Sequence, residues 1–532
     1  MVFISSSFGH AHPLRCALVA VAGLATIGCD HVRASAGGAC EDLLSLSLPE
    51  TTVTAAQSVA AGTFAPPASN AGAPKAFADL PNFCRVSMTV RTAGSDVKVE
   101  VWMPAQGWNG DYQPAGAGFW GGAMPYERMR EILRSGAATS GTNLGIEGAA
   151  GPSFALEHPE KLRNLGNEPF HAMVTQAKAV LRAFAGAPPK FTFMDECGGG
   201  GSRDALAEVQ RWPADLDAVS AVGFTNYGTH HGVAQMWVYQ ATHKTAASYI
   251  PPSKYPLIHK AALDACDSKD GATDGLIEDP LRCQYDPAVL LCKGAENASC
   301  LTADQVAAVR TIYSTPIDGR TKEYIYGSMP PGGELGWEAM AGPTPYPFAV
   351  PFYKYLVFRD TNWDYRTRPV NFESDMERVD SPQNTVINAL SPDLSAFIAR
   401  GGKLLMMGGW GEHTLGPGNN VYYYESVVKR HGSGKVKDSV RLFMVPAMDH
   451  CLGAQYANAP TVSFDAPAFL KRWRNGAPAP DQIIVTYSEK GRADRRHPVC
   501  AFPQVAQYKG NGSVDDPSSF TCTTPKGARA RL

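Results

Sequence analysis

The sequence predicts an α/β architecture: a mostly parallel sheet covered by helices and interrupted by a large insertion. Three observations predict it. Apolar runs of strand length alternate with helical segments in two blocks, one before residue 226 and one after residue 392, the pattern of a parallel sheet with helices on its faces. Within the first block a short buried run, Lys190 to Met194, passes through a cluster of glycines into a helical segment. Between the blocks the alternation stops, and short helices, proline turns, four cysteines and many aromatics take its place.

The elements follow in order. Ser87 to Arg91 and Val97 to Trp102 alternate apolar and polar residues, as half-buried strands do. Trp108-Asn-Gly is a turn. Gly116 to Gly122 is a glycine-rich loop, and Pro125 to Ser135 has helical spacing. Phe170, Met173, Val174, Ala177, Val180, Leu181 and Phe184 recur at i, i+3, i+4, i+7 and predict an amphipathic helix. Lys190 to Met194 reads as a strand, a helix is expected from about Arg203 to Arg211, and Ala218 to Val222 is the next strand. After the insertion come a helix over Leu394 to Arg400, a strand over Lys403 to Met407, a helix over Tyr422 to Lys429 and a strand over Val440 to Val445.

Of 532 residues, 44% are hydrophobic and 18% charged, the balance of a globular protein. The formal net charge of -2 gives no field that selects nucleic acid or an anionic surface. Arg15, the apolar run Cys16 to Ile27 and Ala34-Ser35-Ala36 together read as a cleavable export signal over residues 1–36. A buried N-terminal helix and lipidation at Cys29 rank behind simple cleavage. No later run is long enough to span a bilayer. Apart from Cys16 and Cys29, ten of the 12 cysteines remain, an even number that suits disulfides in a secreted or periplasmic protein. Cys266 with Cys283 and Cys292 with Cys300 are close enough to suggest pairs; the remaining connectivity stays open.

Two segments carry candidate chemistry. His450 follows the strand ending at Val445, and Glu412 follows the strand ending at Met407. In an α/β-hydrolase fold the acid precedes the base in the chain, and strand, sharp turn and helix present the nucleophile. Glu412 is thus placed to orient His450 and to stabilise its protonated form. In the insertion, Asp267, Asp270 and Asp274 are interleaved with Gly271 and Gly275. That is an oxygen-rich loop of the kind Ca2+ takes, though its spacing is not that of an EF-hand. A solvated Asp-Gly turn is the plainer alternative.

The chain resembles the tannase and feruloyl esterase family, which includes bacterial mono(hydroxyethyl) terephthalate hydrolase. The resemblance rests on Trp108-Asn-Gly, Glu208-Val-Gln-Arg-Trp-Pro-Ala-Asp-Leu-Asp217, the run Cys266 to Cys283, Gly401-Gly-Lys and His450-Cys451. It implies an α/β-hydrolase fold whose core spans 37–225 and 393–532, with a lid domain over 226–392. It also implies the pairs Cys40–Cys84, Cys197–Cys451, Cys266–Cys283, Cys292–Cys300 and Cys500–Cys522. A structural Ca2+ would be held by the carboxylates of Asp267, Asp270 and Asp274 and the carbonyls of Ala272 and Leu276. Backbone N–H groups of Gly118, Phe119 and Gly200 would form the oxyanion site. Lid aromatics, among them Trp237, Tyr346, Phe348 and Tyr353, are candidates for holding an aromatic acyl group.

The departure falls at the nucleophile. Family members carry Gly-Cys-Ser-x-Gly-Gly-Arg, whereas this chain reads Glu196-Cys-Gly-Gly-Gly-Gly-Ser-Arg203. The position of the family serine is Gly198, or Gly199 if counted back from Arg203. Ser202 is the nearest hydroxyl and the candidate nucleophile if the four glycines let the turn be rebuilt. The family usually has Asp where Glu412 stands, and Thr142 to Gly148 differs from the family's more polar run. The sequence therefore leads to a secreted carboxylic ester hydrolase acting on small aromatic-acid esters by acyl transfer. The alternatives are an inactive member that binds such an ester, an acid or a partner, and a member whose His450 and Glu412 act on water or substrate without a covalent intermediate.

Overall fold

The computed structural model describes residues 39–67, 77–92, 94–147, 151–453, 459–489 and 494–526. The export signal expected over 1–36, with Cys16 and Cys29, lies outside them. Nine strands form the central sheet: β1 (Thr51–Val59), β2 (Phe83–Thr92), β3 (Ser95–Pro104), β4 (Asp111–Pro114), β5 (Ala138–Thr142), β6 (Phe191–Cys197), β7 (Ala218–Val222), β8 (Lys403–Gly409) and β9 (Val440–Val445). Their spatial order is β1-β2-β3-β5-β4-β6-β7-β8-β9. The first three pair antiparallel, and β3 pairs antiparallel with β5. From β5 through β9 every pairing is parallel. This is the α/β-hydrolase arrangement.

β7 and β9 are buried at every position, as strands covered on both faces must be. The helices on those faces include α1 (Tyr126–Arg134), α2 (Glu168–Ala185), α3 (Gly198–Arg211) and, later in the chain, α7 (Gly418–His431) and α8 (Ala466–Arg474). On α2 the expected stripe is buried from Phe170 to Leu181, and Gly186 closes the helix in the left-handed conformation with φ 75°. Each large side chain in that stripe contributes about 1.5–3 kcal/mol by leaving water.

The segment 226–392 adds no strand to the central sheet among the described residues. Its longer helices are α4 (Gly228–Thr242), α5 (Tyr255–Cys266) and α6 (Ala303–Tyr313). They share an apolar cluster that includes Val238, Ile250, Ile258, Val309 and Trp337. Beyond β9 the chain builds a three-stranded antiparallel sheet from Thr461–Ser463, Gln482–Ser488 and Arg495–Cys500, then a strand pair, Val505–Tyr508 with Phe520–Thr523. No helix among the described residues is long and apolar enough to cross a membrane.

Two differences from expectation stand out. The small C-terminal sheets are not signalled by the sequence, since the apolar alternation along their strands is blurred. The helix after β6 begins at Gly198, not near Arg203. Glycine is a poor helix former, but here its lack of a side chain lets the first turn of α3 pack against neighbouring backbone.

All five disulfides are present as the resemblance implied, with Cα–Cα distances of 4.9 to 5.6 Å. Cys266–Cys283 spans 17 residues around the Asp-rich loop. Replacing both cysteines by alanine is expected to destabilise the folded chain by about 3 kcal/mol, the loop-closure value for such a span. Urea unfolding of the variant beside the parent measures this.

Candidate active site

The site forms where three strand ends meet. β6 ends at Cys197, and Gly198 turns the chain into α3 with φ +78°. A side chain is strained there, and such strain is usual where a strand-to-helix turn presents a nucleophile. The loop after β8 carries Glu412, and the loop after β9 carries His450. These two loops touch backbone to backbone: a Cβ on Gly409 would lie 2.0 Å from the Met448 carbonyl oxygen. That contact brings the acid to the imidazole.

His450 Nδ1 lies 2.7 Å from Glu412 Oε2. The other carboxylate oxygen, Oε1, accepts from the Thr414 amide at 2.9 Å, the Thr414 hydroxyl at 2.8 Å and the Leu415 amide at 3.3 Å. Glu412 is 3% exposed. Burial pushes its carboxyl up, but His450 and the Thr414 bonds outweigh that and hold it at about 2. Burial pulls the His450 imidazole down, and Glu412 with Asp449 outweighs it, so its pKa stands above the ordinary 6.5. Glu412 is thus a fixed anion that fixes the tautomer, with the proton on Nδ1 and Nε2 free to act as a base.

The histidine loop is held against local strain. Ala447, Cys451 and Leu452 have φ of 52°, 58° and 63°, left-handed values that cost non-glycine residues about 1–3 kcal/mol each. The Cys197–Cys451 disulfide ties this loop to the end of β6.

Gly198 is the residue that faces the base. A Cβ there would lie 3.1 Å from His450 Nε2 and 3.4 Å from Cys451 Sγ. A Cβ on Gly199 would instead meet the Phe119 ring and the Thr225 hydroxyl, each at 3.3 Å. Of the two registers, Gly198 is the one at the nucleophile position. The structure does not bring Ser202 to His450. Ser202 is wholly buried one turn into α3, and its hydroxyl donates to the Gly198 carbonyl. The turn is not rebuilt around it, because Gly199, Gly200 and Gly201 lie in regular helix. Cys197 is consumed by its disulfide.

The remaining glycines explain themselves by packing. A Cβ on Gly200 would lie 2.5 Å from the backbone of Gly118 and Phe119. Helix α3 therefore presents its N-terminal turn beside the Gly116–Gly122 loop, bringing together the three residues expected at the oxyanion site, Gly118, Phe119 and Gly200. Backbone N–H groups at a helix N-terminus favour negative charge.

Above them lies a cavity of about 360 Å3, lined by Phe119, Trp120, His231, Tyr346, Phe348 and His450 with Gly199 and Gly200. Trp120 and Phe348 stack at 4.9 Å, and Phe119 meets Phe348 edge-on at 4.7 Å. Of the four insertion aromatics, Tyr346 and Phe348 reach this cavity. Trp237 lines a separate one of about 450 Å3, which His450 does not reach, and Tyr353 is core. Trp120, Thr414 and His231 are site residues that sequence reasoning missed. The pair His230-His231 was a visible signal, but a histidine on a buried helix is usually structural.

The Asp-rich loop lies elsewhere. Asp267 accepts from the amides of Asp274 at 3.2 Å and Gly275 at 3.0 Å. Asp270 accepts from the Ala272 amide at 3.0 Å and leaves its buried Oδ2 without a partner. Asp274 accepts from the Leu276 amide at 3.1 Å and pairs with Arg495. An all-oxygen donor set with one orphaned carboxylate oxygen fits a hard cation; the Arg495 pair partly satisfies Asp274 without one. Two groups of described residues have donor atoms within 4.8 Å of one another, His171–Glu208–Asp215 and Glu412–His413–Asp449; the three aspartates of this loop do not form such a group.

The comparisons with known proteins agree with the fold. A sequence profile of the family "Tannase and feruloyl esterase" matches residues 82–523. An uncharacterized esterase of Xanthomonas campestris pv. campestris is 34% identical, covering 95% of each chain. A probable feruloyl esterase B-1 of Aspergillus oryzae is 28% identical over 83% of this chain and 84% of its own. Among solved structures, feruloyl esterase B from Aspergillus oryzae superposes with a TM-score of 0.80 at 26% identity, covering 91% of this chain and 99% of that one. Tannin acyl hydrolase from Aspergillus niger shares the fold, with a TM-score of 0.68 at 17% identity over 91% and 94% of the two chains. The fold and site define a carboxylic ester hydrolase of the α/β-hydrolase class. The chain belongs to the tannase and feruloyl esterase family.

The packing at the turn is testable. Gly200→Ala forces a methyl group into the Gly118–Phe119 backbone, and overpacking of this kind costs about 1–3 kcal/mol. Thermal unfolding of the variant is expected to show a lowered Tm.

Proposed function

We propose that this chain is an exported hydrolase of small aromatic-acid esters in which water takes the place of the serine nucleophile. The observation that carries the reading is that His450 opens on the cavity beside Gly199 and Gly200, with no side chain at Gly198 in front of Nε2; the water would stand in the cavity between the base and the oxyanion turn. The acyl group passes from the ester's alcohol to that water. Nε2 takes a proton from the water as its oxygen bonds to the carbonyl carbon. Backbone N–H groups near Gly118, Phe119 and Gly200 stabilise the oxyanion. The carbon–alkoxide bond then breaks, and the alcohol leaves with the proton from His450. Aromatic rings from both the core and the insertion suit an aromatic acyl group. Five disulfides suit an oxidising compartment, in keeping with the signal expected over 1–36.

A second reading has its own observation. With Gly198 lacking a hydroxyl and Ser202 turned to a backbone carbonyl, the chain is a binder that has lost hydrolysis. One assay separates the two, using purified mature protein, a panel of methyl benzoates and a serine-reactive phosphonate probe. The water reading expects turnover above the floor of roughly 10³–10⁴ over the uncatalysed rate that oxyanion contacts and binding alone leave. It expects no labelling by the probe, and a fall to that floor in His450→Ala. Because the base must be neutral, kcat/KM falls as pH drops through a midpoint above 6.5, where Glu412 holds the imidazole. Absence of turnover in the parent, with activity gained in Gly198→Ser, establishes the binder. Labelling at Ser202 overturns both.

For the loop, we propose that Asp267, Asp270 and Asp274, with the carbonyls of Ala272 and Leu276, hold a structural Ca2+. The orphaned oxygen of Asp270 supports it. Chelation is expected to lower Tm and added Ca2+ to restore it, by about 2.7 kcal/mol at a hundred times Kd, with the response lost in Asp270→Asn. A Tm indifferent to chelator removes the ion from the account.

A further inference from the structure

A second acid and a second histidine lie behind the catalytic pair. Each of the two loops carries an acid followed by a histidine, Glu412-His413 after β8 and Asp449-His450 after β9. Each acid pairs with the histidine of the other loop: Glu412 with His450, and Asp449 Oδ1 with His413 Nδ1. A carboxylate only accepts, so that nitrogen of His413 donates. The same Oδ1 accepts the backbone N–H of His450 at 2.6 Å. One oxygen therefore joins the His413 ring to the main chain of the base. Asp449 is wholly buried, and His413 and Glu412 are buried with it, an environment in which a carboxylate is costly unless donors meet it.

The two pairs hold different parts of the base. Glu412 fixes the ring of His450, whereas Asp449 holds its backbone, capping the short helical turn His450–Leu452. That backbone needs holding, because Ala447, Cys451 and Leu452 on either side of His450 are left-handed and such residues persist only where their surroundings over-determine them. The neighbouring elements leave little slack. A Cβ on Gly411 would lie 2.9 Å from the Ala447 carbonyl oxygen, and one on Gly223, just past β7, 3.4 Å from both Glu412 Oε2 and His450 Nδ1. The charges that reach His450 are few. Against burial, which pulls the imidazole down, Glu412 and then Asp449 raise it. His231 on α4 also faces it, held neutral by burial at about 4, and His413 acts on Glu412 in turn.

We propose that Asp449 and His413 are positioning residues for the base: the link from His413 Nδ1 through Asp449 Oδ1 to the His450 N–H clamps the strained loop to the loop of the acid, and so keeps the imidazole on Glu412 with Nε2 toward Gly198. The proposal rests on His450 being the base of the reading above and adds what holds that base in place. Neither residue touches the ester; both act through His450.

The test is NMR of the full mature protein, following two signals of His450: the low-field ¹H resonance of Nδ1–H on Glu412, assigned by its loss in His450→Gln, and the pH titration of the ring nitrogens. Asp449→Ala removes the acceptor for both donors and is expected to lose the low-field signal. Asp449→Asn keeps a carbonyl oxygen there and is expected to keep the signal. With one of the two anions gone, its His450 is expected to titrate at lower pH than in the parent, since a nearby negative charge favours the imidazolium. His413→Gln, which retains an N–H donor, is expected to keep the signal that His413→Ala weakens. A low-field signal that survives in folded Asp449→Ala, or a His450 titration unmoved by Asp449→Asn, overturns the proposal. Should Asp449→Ala not fold, the titration of Asp449→Asn decides alone. A parent lacking the signal, with His450 titrating at or below 6.5, overturns the Glu412–His450 pair and this proposal together. Neither readout needs turnover, so failure of the hydrolase reading in the ester assay leaves this result standing.

Discussion

The close approach of the turn after β6 to the loop after β9 is the constraint on which the site depends. Gly198 lies against His450 Nε2 and the Cys451 sulfur at distances a single methyl group would fill. Several independent features enforce the approach. The Cys197–Cys451 disulfide joins the two segments. Gly409 and Gly200 let backbone meet backbone on either side. Glu412, anchored by Thr414 and Leu415, fixes the imidazole from behind. Strained dihedrals at Ala447, Cys451 and Leu452 persist because these contacts over-determine the loop.

The scaffold and the reactive group have separated in this chain. The carboxylate that fixes the tautomer of the base is in place, as are the helix N-terminus and glycine loop that the proposal assigns to the oxyanion. The one atom that would make a covalent intermediate is missing. Catalytic groups of this kind are strongly non-additive, and the binding and oxyanion contributions persist when one member is lost. An intact surrounding structure is therefore compatible with slow hydrolysis by water and with binding alone.

Much of this was legible in the sequence because its signals were local. The stripe from Phe170 to Leu181 fixes α2 by its period. Mostly apolar runs mark β7 and β9, each with a single polar residue, Ser220 and Arg441. The order of Glu412 before His450 at successive strand ends marks the pair. What was not legible depends on long-range packing. Counting from Cys197 or from Arg203 gave two positions for the missing serine, and only the contact with Nε2 distinguishes Gly198 from Gly199. Four glycines read as a flexible turn, yet only Gly198 turns the chain; Gly199 to Gly201 are helical and pack where no side chain fits. His231 looked like an ordinary buried helix residue, since the Thr414 carbonyl beside its ring comes from far along the chain. The strands Gln482–Ser488 and Arg495–Cys500 were hidden because Ile484 and Pro498 break the simple alternation.

The five disulfides are not equivalent in what they span. Four close loops of 8 to 44 residues, whereas Cys197–Cys451 reaches across 254. The four short ones brace local pieces of the fold; the long one joins the two halves of the reaction centre. In a reducing cytosol the base would have no covalent tie to the turn it faces, and its strained loop would lose that restraint. Oxidation thus adds the one covalent tie between base and turn, so the compartment in which the chain folds decides whether the strained loop carries that restraint.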